Sequence, residues 1–155
     1  MGSDGENPGI SEAVRYANEQ GAVVVMASGN DGLSAISGNQ RFSQPNYPAA
    51  LASELGLAVG AVNQDGAIAD FSNRAGSTPQ DYVVAPGKDV YSSLLVDTYG
   101  FWEGTSMAAP HIAGVAALIL NANPNLMPAQ VEDLITGTAN PFGVTENGVF
   151  NALEL

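Results

Sequence analysis

GTSMAAPH, residues 104–111, opens the most apolar segment of this chain. From Ser106 to Leu120 the segment is apolar on every side, which predicts a helix buried all round. Ser106 then stands at the helix N-terminus, where unpaired N–H groups and the positive end of the dipole can stabilise an oxyanion. Gly104 leaves room for a ligand backbone to approach. The stretch predicts a nucleophilic serine at the start of a core helix, although Gly-Thr-Ser alone is equally typical of an N-cap.

A buried strand followed by a polar loop precedes this segment in the chain. The run AVVVMA, residues 22–27, is typical of a strand in a parallel sheet. A helix is predicted before it at Pro8–Gln20, with Asn7 as the cap, so the pair forms half of a βαβ unit. Asn30 follows the strand at the edge where open α/β sheets bind ligands. Its side-chain NH₂ can donate to an oxyanion, but on its own Asn30 is explained as well by a turn.

The remaining sequence predicts an α/β chain with a small antiparallel hairpin. Further strands are expected at Leu57–Val62 and Tyr82–Ala85, the hairpin near residues 90–103, and a last helix at Pro128–Thr136 with Val131, Leu134 and Ile135 inward. The length of 155 residues is enough for a single sizeable core. We therefore treat residues 1–155 as part of one domain.

Composition excludes several classes of function. The formal charge is −12, from 16 acidic residues against 4 basic ones, so no basic patch predicts nucleic-acid binding. The chain has no cysteine, which excludes disulfides, thiolate metal sites and a cysteine nucleophile. No run of about 18 uncharged apolar residues predicts a membrane span. A solvated acidic surface suits solubility or cation binding.

The stretch at 104–111 is similar to the active-site serine motif of the subtilisin family, and residues 23–30 (VVVMASGN) resemble the family segment that ends in the oxyanion-hole asparagine. Tyr47-Pro48 resembles a family pair joined by a cis peptide bond, and residues 82–87 and 148–152 resemble later segments in the same order. The resemblance implies the C-terminal half of a subtilisin-like parallel-sheet sandwich. It implies a serine endopeptidase that acts on peptides or proteins through an acyl-enzyme on Ser106, and it favours secretion over a cytoplasmic location.

The resemblance also implies substrate-binding and metal-binding residues. Gly2 resembles the glycine of the strand that pairs with the substrate backbone, and Ala27, Ser28 and Gly29 match the wall of the primary specificity pocket. Gly104 and Thr105 belong to the serine motif and are expected beside the substrate. Asp81 resembles a calcium ligand that would share a structural ion with loop carbonyls, and an ordinary turn acid explains it at least as well.

The sequence departs from the family in its base and orienting acid. In subtilisin itself, an established example of the triad, the order along the chain is Asp, His, then Ser. The single histidine here is His111, five residues after Ser106. Five helical residues turn roughly 500°, which leaves the two side chains ~140° apart, so we interpret His111 as a satisfied core residue. No Asp-Ser-Gly or His-Gly-Thr segment is present. We therefore expect the chain alone to be inactive and an N-terminal half to carry the Asp and His.

Three interpretations stay open at this point. The chain is a truncated peptidase domain, a natural half-protease that completes its site with a partner chain, or a non-catalytic remnant that uses the groove only for binding. A pure binder needs neither Ser106 nor Asn30, which speaks against the third. A neighbouring reading frame encoding the Asp and His segments would favour the second, and its absence would favour the first.

Overall fold

The computed structural model describes residues 5–32 and 44–140, and the backbone of three short strands beyond them. In chain order the elements are α1 (Pro8–Glu19), β1 (Val25–Ala27), a 3₁₀ turn (Ala49–Ser53), β2 (Leu57–Val62), β3 (Tyr82–Pro86), β4 (Val90–Ser93), β5 (Tyr99–Trp102), α2 (Thr105–Ala122), α3 (Pro128–Thr138), β6 (Thr145–Glu146), β7 (Val149–Phe150) and β8 (Leu153–Glu154). The main sheet is parallel, with strand order β1-β2-β3-β8. The predicted α/β class and the predicted strand β2 are confirmed. β8, which adds a fourth strand to the three that were predicted, was missed.

The sheet lies between two apolar layers. Alternate residues of β2 and β3, such as Val59 and Val83, face a core shared with α2 and α3. Their neighbours, such as Ala58 and Val84, face a second core with α1 and the 3₁₀ turn. Because side chains of a strand alternate between faces, a strand buried on both faces must be apolar throughout, as β2 is. The carboxyl edge of this sheet is therefore supported by packed cores on both faces.

β1 is shorter than the predicted strand over residues 22–27. Its ladder with β2 begins at the pair Val25–Leu57. Among the described residues, β1 pairs with β2 alone. Residues 22–24 precede this pairing, and their one bond to β2 there runs from the Leu57 N–H to the Val24 carbonyl at 2.9 Å. Apolar character predicted the segment correctly, but the ladder that defines a strand depends on where its neighbour starts.

α1 begins as predicted and ends one residue early, at Glu19. The Asn7 side chain caps it by accepting from the N–H groups of Gly9, at 3.0 Å, and Ile10, at 3.3 Å. The Tyr47–Pro48 peptide bond is cis, as the family resemblance implied. The predicted hairpin is also confirmed, with Tyr91 of β4 opposite Phe101 of β5.

α2 is covered on one side only by the described residues. Its buried stripe is Thr105, Ala108, Ile112 and Ala116, which packs on the sheet, whereas Leu118 on the other side is 70% exposed. The helix was expected to be buried on every side. The described residues bury its sheet side and leave the opposite side exposed. By length and composition α2 could cross a membrane, but its buried stripe is that of a helix packed on a sheet.

α3 is rotated relative to the prediction. Val131 and Ile135 are buried as expected, but Leu134 is 42% exposed and Glu132 is buried in its place. The buried positions of the helix follow the i, i+3, i+4, i+7 spacing from Pro128, and residue 134 lies off that stripe. The prediction for Leu134 was wrong because the buried stripe of the helix runs through Val131, Glu132 and Ile135.

Candidate active site

Ser106 lies in the first turn of α2 with its side chain exposed. Gly104 precedes the helix with φ +147°, a backbone conformation that other residues rarely adopt. Thr105 is buried, at 1% exposure, and fixes the start of the helix against the sheet. The nucleophile predicted from the sequence is therefore at a helix N-terminus that opens to solvent, where the first N–H groups of the helix have no helical partner.

Asn30 is joined to the start of the same helix by a pair of hydrogen bonds. Its Oδ1 accepts from the Thr105 backbone N–H and from the Thr105 hydroxyl, both at 2.9 Å. Because a backbone N–H can only donate, this contact fixes which end of the amide is oxygen. The NH₂ is thereby turned toward Gly104, where an added Cβ would lie 3.1 Å from Asn30 Nδ2. The arrangement leaves an exposed, oriented donor beside the nucleophile.

The segment expected to wall the specificity pocket contributes backbone more than side chains. Ser28 is fully buried, and its hydroxyl donates inward to the Asn73 carbonyl at 3.2 Å. The Gly29 N–H donates to the Thr105 hydroxyl at 3.2 Å, so this strand end is tied directly to α2. Ala27 and Gly29 are half-buried. Gly2 lies outside the described residues.

His111 was expected in the core and lies instead on the exposed part of α2. Its Nδ1 donates to the Met107 carbonyl at 2.8 Å, one turn earlier in the helix. That bond holds the ring against its own helix. The expectation of a satisfied side chain is confirmed, and the expectation of burial is wrong because α2 is covered on the sheet side only.

An open cleft of about 940 Å³ lies beside Ser106, between the β4–β5 hairpin and the first turns of α2. Leu94, Trp102 and Met107 give it an apolar lining, and His111 stands at its edge. Sequence analysis predicted the hairpin but did not predict that it flanks the nucleophile. The signal was present, because β5 ends at Trp102, two residues before Gly104.

The chain matches the Subtilase family of peptidases, family S8, over residues 1–153. It belongs to the subtilase family. This subtilase chain is 37% identical to Subtilisin BL of Lederbergia lenta over 98% of its own length and 52% of that protein. It is 42% identical to Subtilisin amylosacchariticus of Bacillus subtilis subsp. amylosacchariticus over 92% of its length and 35% of that protein. The subtilase chain thus spans about half or less of the length of these relatives.

Solved structures of the family agree with the subtilase fold. A cold-adapted subtilisin-like serine proteinase superposes with a TM-score of 0.79 at 33% identity, covering 97% of this chain and 50% of that one. Sphericase superposes with a TM-score of 0.79 at 29% identity, covering all of this chain and 55% of that one. The predicted subtilisin-like α/β architecture is confirmed.

The predicted calcium ligand lies away from Ser106. Asp81 directly precedes β3, at the amino edge of the parallel sheet, whereas Asn30 follows β1 at the carboxyl edge. Among residues 5–32 and 44–140, no group of three or more acidic or histidine side chains could hold a metal ion. The described acidic side chains form no carboxylate cage around Asp81, so calcium there stays a prediction that would depend on loop carbonyls, and we derive no chemistry through a metal.

Asp81 instead lies in an acidic neighbourhood with α3. Burial, followed by the charge of Asp133, raises the pKa of Asp81. Burial, followed by the charge of Asp81, raises the pKa of Glu132, which a hydrogen bond from the Gly56 backbone partly opposes. Glu132 is 5% exposed, and its Oε1 has no hydrogen-bond partner among the described residues. Burial and the neighbouring acids thus disfavour the charged form of this carboxyl group in the folded chain.

We expect Glu132→Gln to raise the free energy of unfolding at pH 7 by about 1 kcal/mol, or roughly 2–4 °C in Tm. The pKa of Glu132 is higher in the folded chain than its ordinary value of 4.5. Protonated Glu132 therefore contributes its full stability below pH 4.5, and this contribution is lost as the pH rises through the folded pKa. The advantage of the variant should therefore grow from pH 4 to pH 7 in thermal unfolding. Glu12→Gln removes an equal charge from an exposed site of α1, on the other face of the sheet, and should change Tm little. Equal effects of both variants would contradict the prediction.

Proposed function

We propose that this subtilase chain supplies the nucleophile and the oxyanion hole of a serine endopeptidase, with Ser106 and Asn30 in those roles. The observation that carries the proposal is the pair of bonds from Thr105 to Asn30 Oδ1, which aims the Asn30 NH₂ at the entrance of α2. An oxyanion hole needs donors that are fixed before charge develops, since reorienting them during the reaction would cost free energy. A binding groove without chemistry has no need of this arrangement.

In the proposed reaction, Ser106 and Asn30 act together on the scissile peptide bond. Ser106 Oγ attacks the carbonyl carbon of the scissile peptide bond and gives its proton to a histidine. The carbonyl oxygen becomes an oxyanion, which accepts hydrogen bonds from Asn30 Nδ2 and the Ser106 N–H. The carbon–nitrogen bond then breaks as the histidine returns the proton to the leaving amine. Water, deprotonated by the same histidine, releases the acyl group from Ser106.

The histidine and its orienting acid are proposed to come from an N-terminal half. His111 is not proposed as the base, because five helical residues separate it from Ser106 and place the two side chains ~140° apart around α2. The bond from its Nδ1 to the Met107 carbonyl also holds the ring against its own helix. The exposed side of α2, with Leu118, offers an apolar surface on which such a half would pack. The relatives are two to three times as long as the matched region, which leaves room for that half. Alone, the chain is proposed to be inactive.

Substrates are proposed to be peptides or proteins, with a side chain against the wall formed by Ala27, Ser28 and Gly29 and with the backbone close to Gly104, which carries no side chain. Calcium at Asp81 and secretion remain predictions from the family resemblance, and calcium would need loop carbonyls as its further ligands.

Labelling with a fluorophosphonate tests the proposed function. We expect the chain alone to label at Ser106 very slowly, and the mixture with a subtilisin-type N-terminal half to label at least ~10³-fold faster, because activation of serine requires the base. Peptide mapping would locate the adduct. Rapid labelling of the chain alone would show that it holds its own base. A mixture that stays unlabelled although the halves co-elute would contradict the catalytic role.

A further inference from the structure

Asn73 holds the backbone on both sides of the oxyanion-hole asparagine. Its Oδ1 accepts from the N–H of Asp31 at 2.9 Å and from the N–H of Gly32 at 3.0 Å. Its own N–H donates to the Gly29 carbonyl at 2.9 Å. No bond of Asn73 reaches Asn30 itself. The residues immediately before and after Asn30 are thus fixed by one side chain and its backbone, 41 or more positions away in the sequence.

Asn73 is in turn anchored to the sheet. It is fully buried, and its carbonyl accepts from the Tyr82 hydroxyl of β3 at 2.7 Å and from the Ser28 hydroxyl at 3.2 Å. The neighbouring Ser72 accepts from the Ala61 N–H of β2 at 2.9 Å. The loop that carries Asn30 is therefore anchored through Ser72 and Asn73 to β2 and β3, which are deeply buried strands.

The loop also packs directly on the Asn73 amide. A Cβ on Gly29 would lie 2.5 Å from Asn73 Nδ2, and Gly29 has φ +114°. Asn73 Nδ2 has no hydrogen-bond partner among residues 5–32 and 44–140. The contribution of the side chain to the loop is thus its oxygen, which takes two N–H groups, and not its NH₂.

We propose that Asn73 is a positioning residue of the oxyanion hole and acts through Asn30. Thr105 fixes the Asn30 side chain, and Asn73 fixes its backbone, so both are needed to define where Nδ2 lies. A donor must sit about 2.7–3.1 Å from the developing oxyanion, and a displacement of about 1 Å can cost ~10² in rate. This inference rests on the proposed function, in which Asn30 stabilises the oxyanion.

A double-mutant cycle in the peptidase assembled from this chain and its N-terminal half tests the coupling. We expect Asn73→Ala to lower kcat about 10–100-fold with KM changed less than about 3-fold. In an Asn30→Ala background the same substitution should lower kcat less than about 3-fold, since the group it positions is gone. A loss of equal size in both backgrounds would mean general structural damage and would overturn the proposal.

Two further variants separate positioning from stability. Asn73→Asp keeps an oxygen in place of Oδ1 and should retain most of the kcat that Asn73→Ala loses. Ser72→Ala removes a buried bond to β2 and one hydroxyl donor to the Asn73 carbonyl, which keeps those of Tyr82 and Ser28. It leaves the three bonds to residues 29–32, so it should lower Tm with kcat nearly unchanged. A Ser72→Ala variant that loses kcat as strongly as Asn73→Ala would overturn the proposal.

Hydrogen exchange on the chain alone tests, without any measurement of catalysis, whether Asn73 holds the backbone of residues 31 and 32. In Asn73→Ala the amides of Asp31 and Gly32 should exchange at least ~10-fold faster, while amides of β2 keep their protection. Asn73→Asp should restore both. Unchanged exchange at residues 31 and 32, or equal loss across β2, would overturn the proposal. If the wild-type assembly has no peptidase activity, the proposed function fails, and exchange still shows whether Asn73 holds the loop.

Discussion

Ser106→Ala is expected to abolish peptide hydrolysis by the assembled peptidase, lowering kcat about 10⁶-fold, the loss found for the equivalent serine of subtilisin in the same family. Without Oγ no acyl-enzyme forms, and the oxyanion hole can assist only direct attack by water. KM should change little, since the side chain is small and exposed. Steady-state kinetics on a peptide substrate, with the N-terminal half in excess, measure both constants.

The control for this variant is a serine outside the site. Ser53→Ala alters the 3₁₀ turn on the other side of the sheet, where the hydroxyl donates to the Ala50 carbonyl at 3.2 Å. It should keep wild-type kcat. A Ser106→Ala assembly within tenfold of wild type would show that Ser106 is not the nucleophile, provided that the two halves still co-elute.

The features predicted well from sequence are those that depend on a short run of consecutive residues. β2 is an uninterrupted apolar run, and burial on both faces of a parallel sheet accounts for it. Ser106 and Asn30 each belong to a short string that carries its own local signal, a helix start in one case and a strand end in the other. A chemical role could be proposed for each because its string indicates both the residue type and its place in the fold.

What could not be predicted depends on contacts between distant parts of the chain. The bond from Thr105 to Asn30 spans 75 positions and exists because β1 ends beside the start of α2. Asn73 gave no signal, since a lone asparagine after Phe71-Ser72 is usually a turn residue. The rotation of α3, which buries Glu132 and exposes Leu134, is set by the surfaces it meets.

Thr105 therefore has two roles that the motif alone does not separate. Its backbone begins α2 and so presents Ser106, while its hydroxyl and N–H orient Asn30. Ser106 and the side chain of Asn30, the proposed nucleophile and oxyanion donor, are thus both oriented through this one residue. Removing the donor without disturbing Thr105 is the sharpest way to measure what this coupling contributes to catalysis.

Asn30→Asp makes that change, and we expect it to lower kcat at least ~10²–10³-fold, the range found for loss of the equivalent subtilisin asparagine. The remaining oxygen still accepts both bonds from Thr105, but the NH₂ is replaced by an acceptor whose negative charge repels the oxyanion. KM should stay within about 3-fold of wild type, because the donor acts mainly in the transition state.

Asn30→Ala is the matched comparison, since it removes the donor without adding charge. Its kcat should fall by a similar or smaller factor than that of Asn30→Asp, and its Tm should fall more, because Thr105 then loses its acceptor. Thermal unfolding and steady-state kinetics on the same preparations separate the two effects. If Asn30→Asp kept wild-type kcat, the developing charge would have to be stabilised elsewhere, and the geometry around Thr105 would serve stability alone.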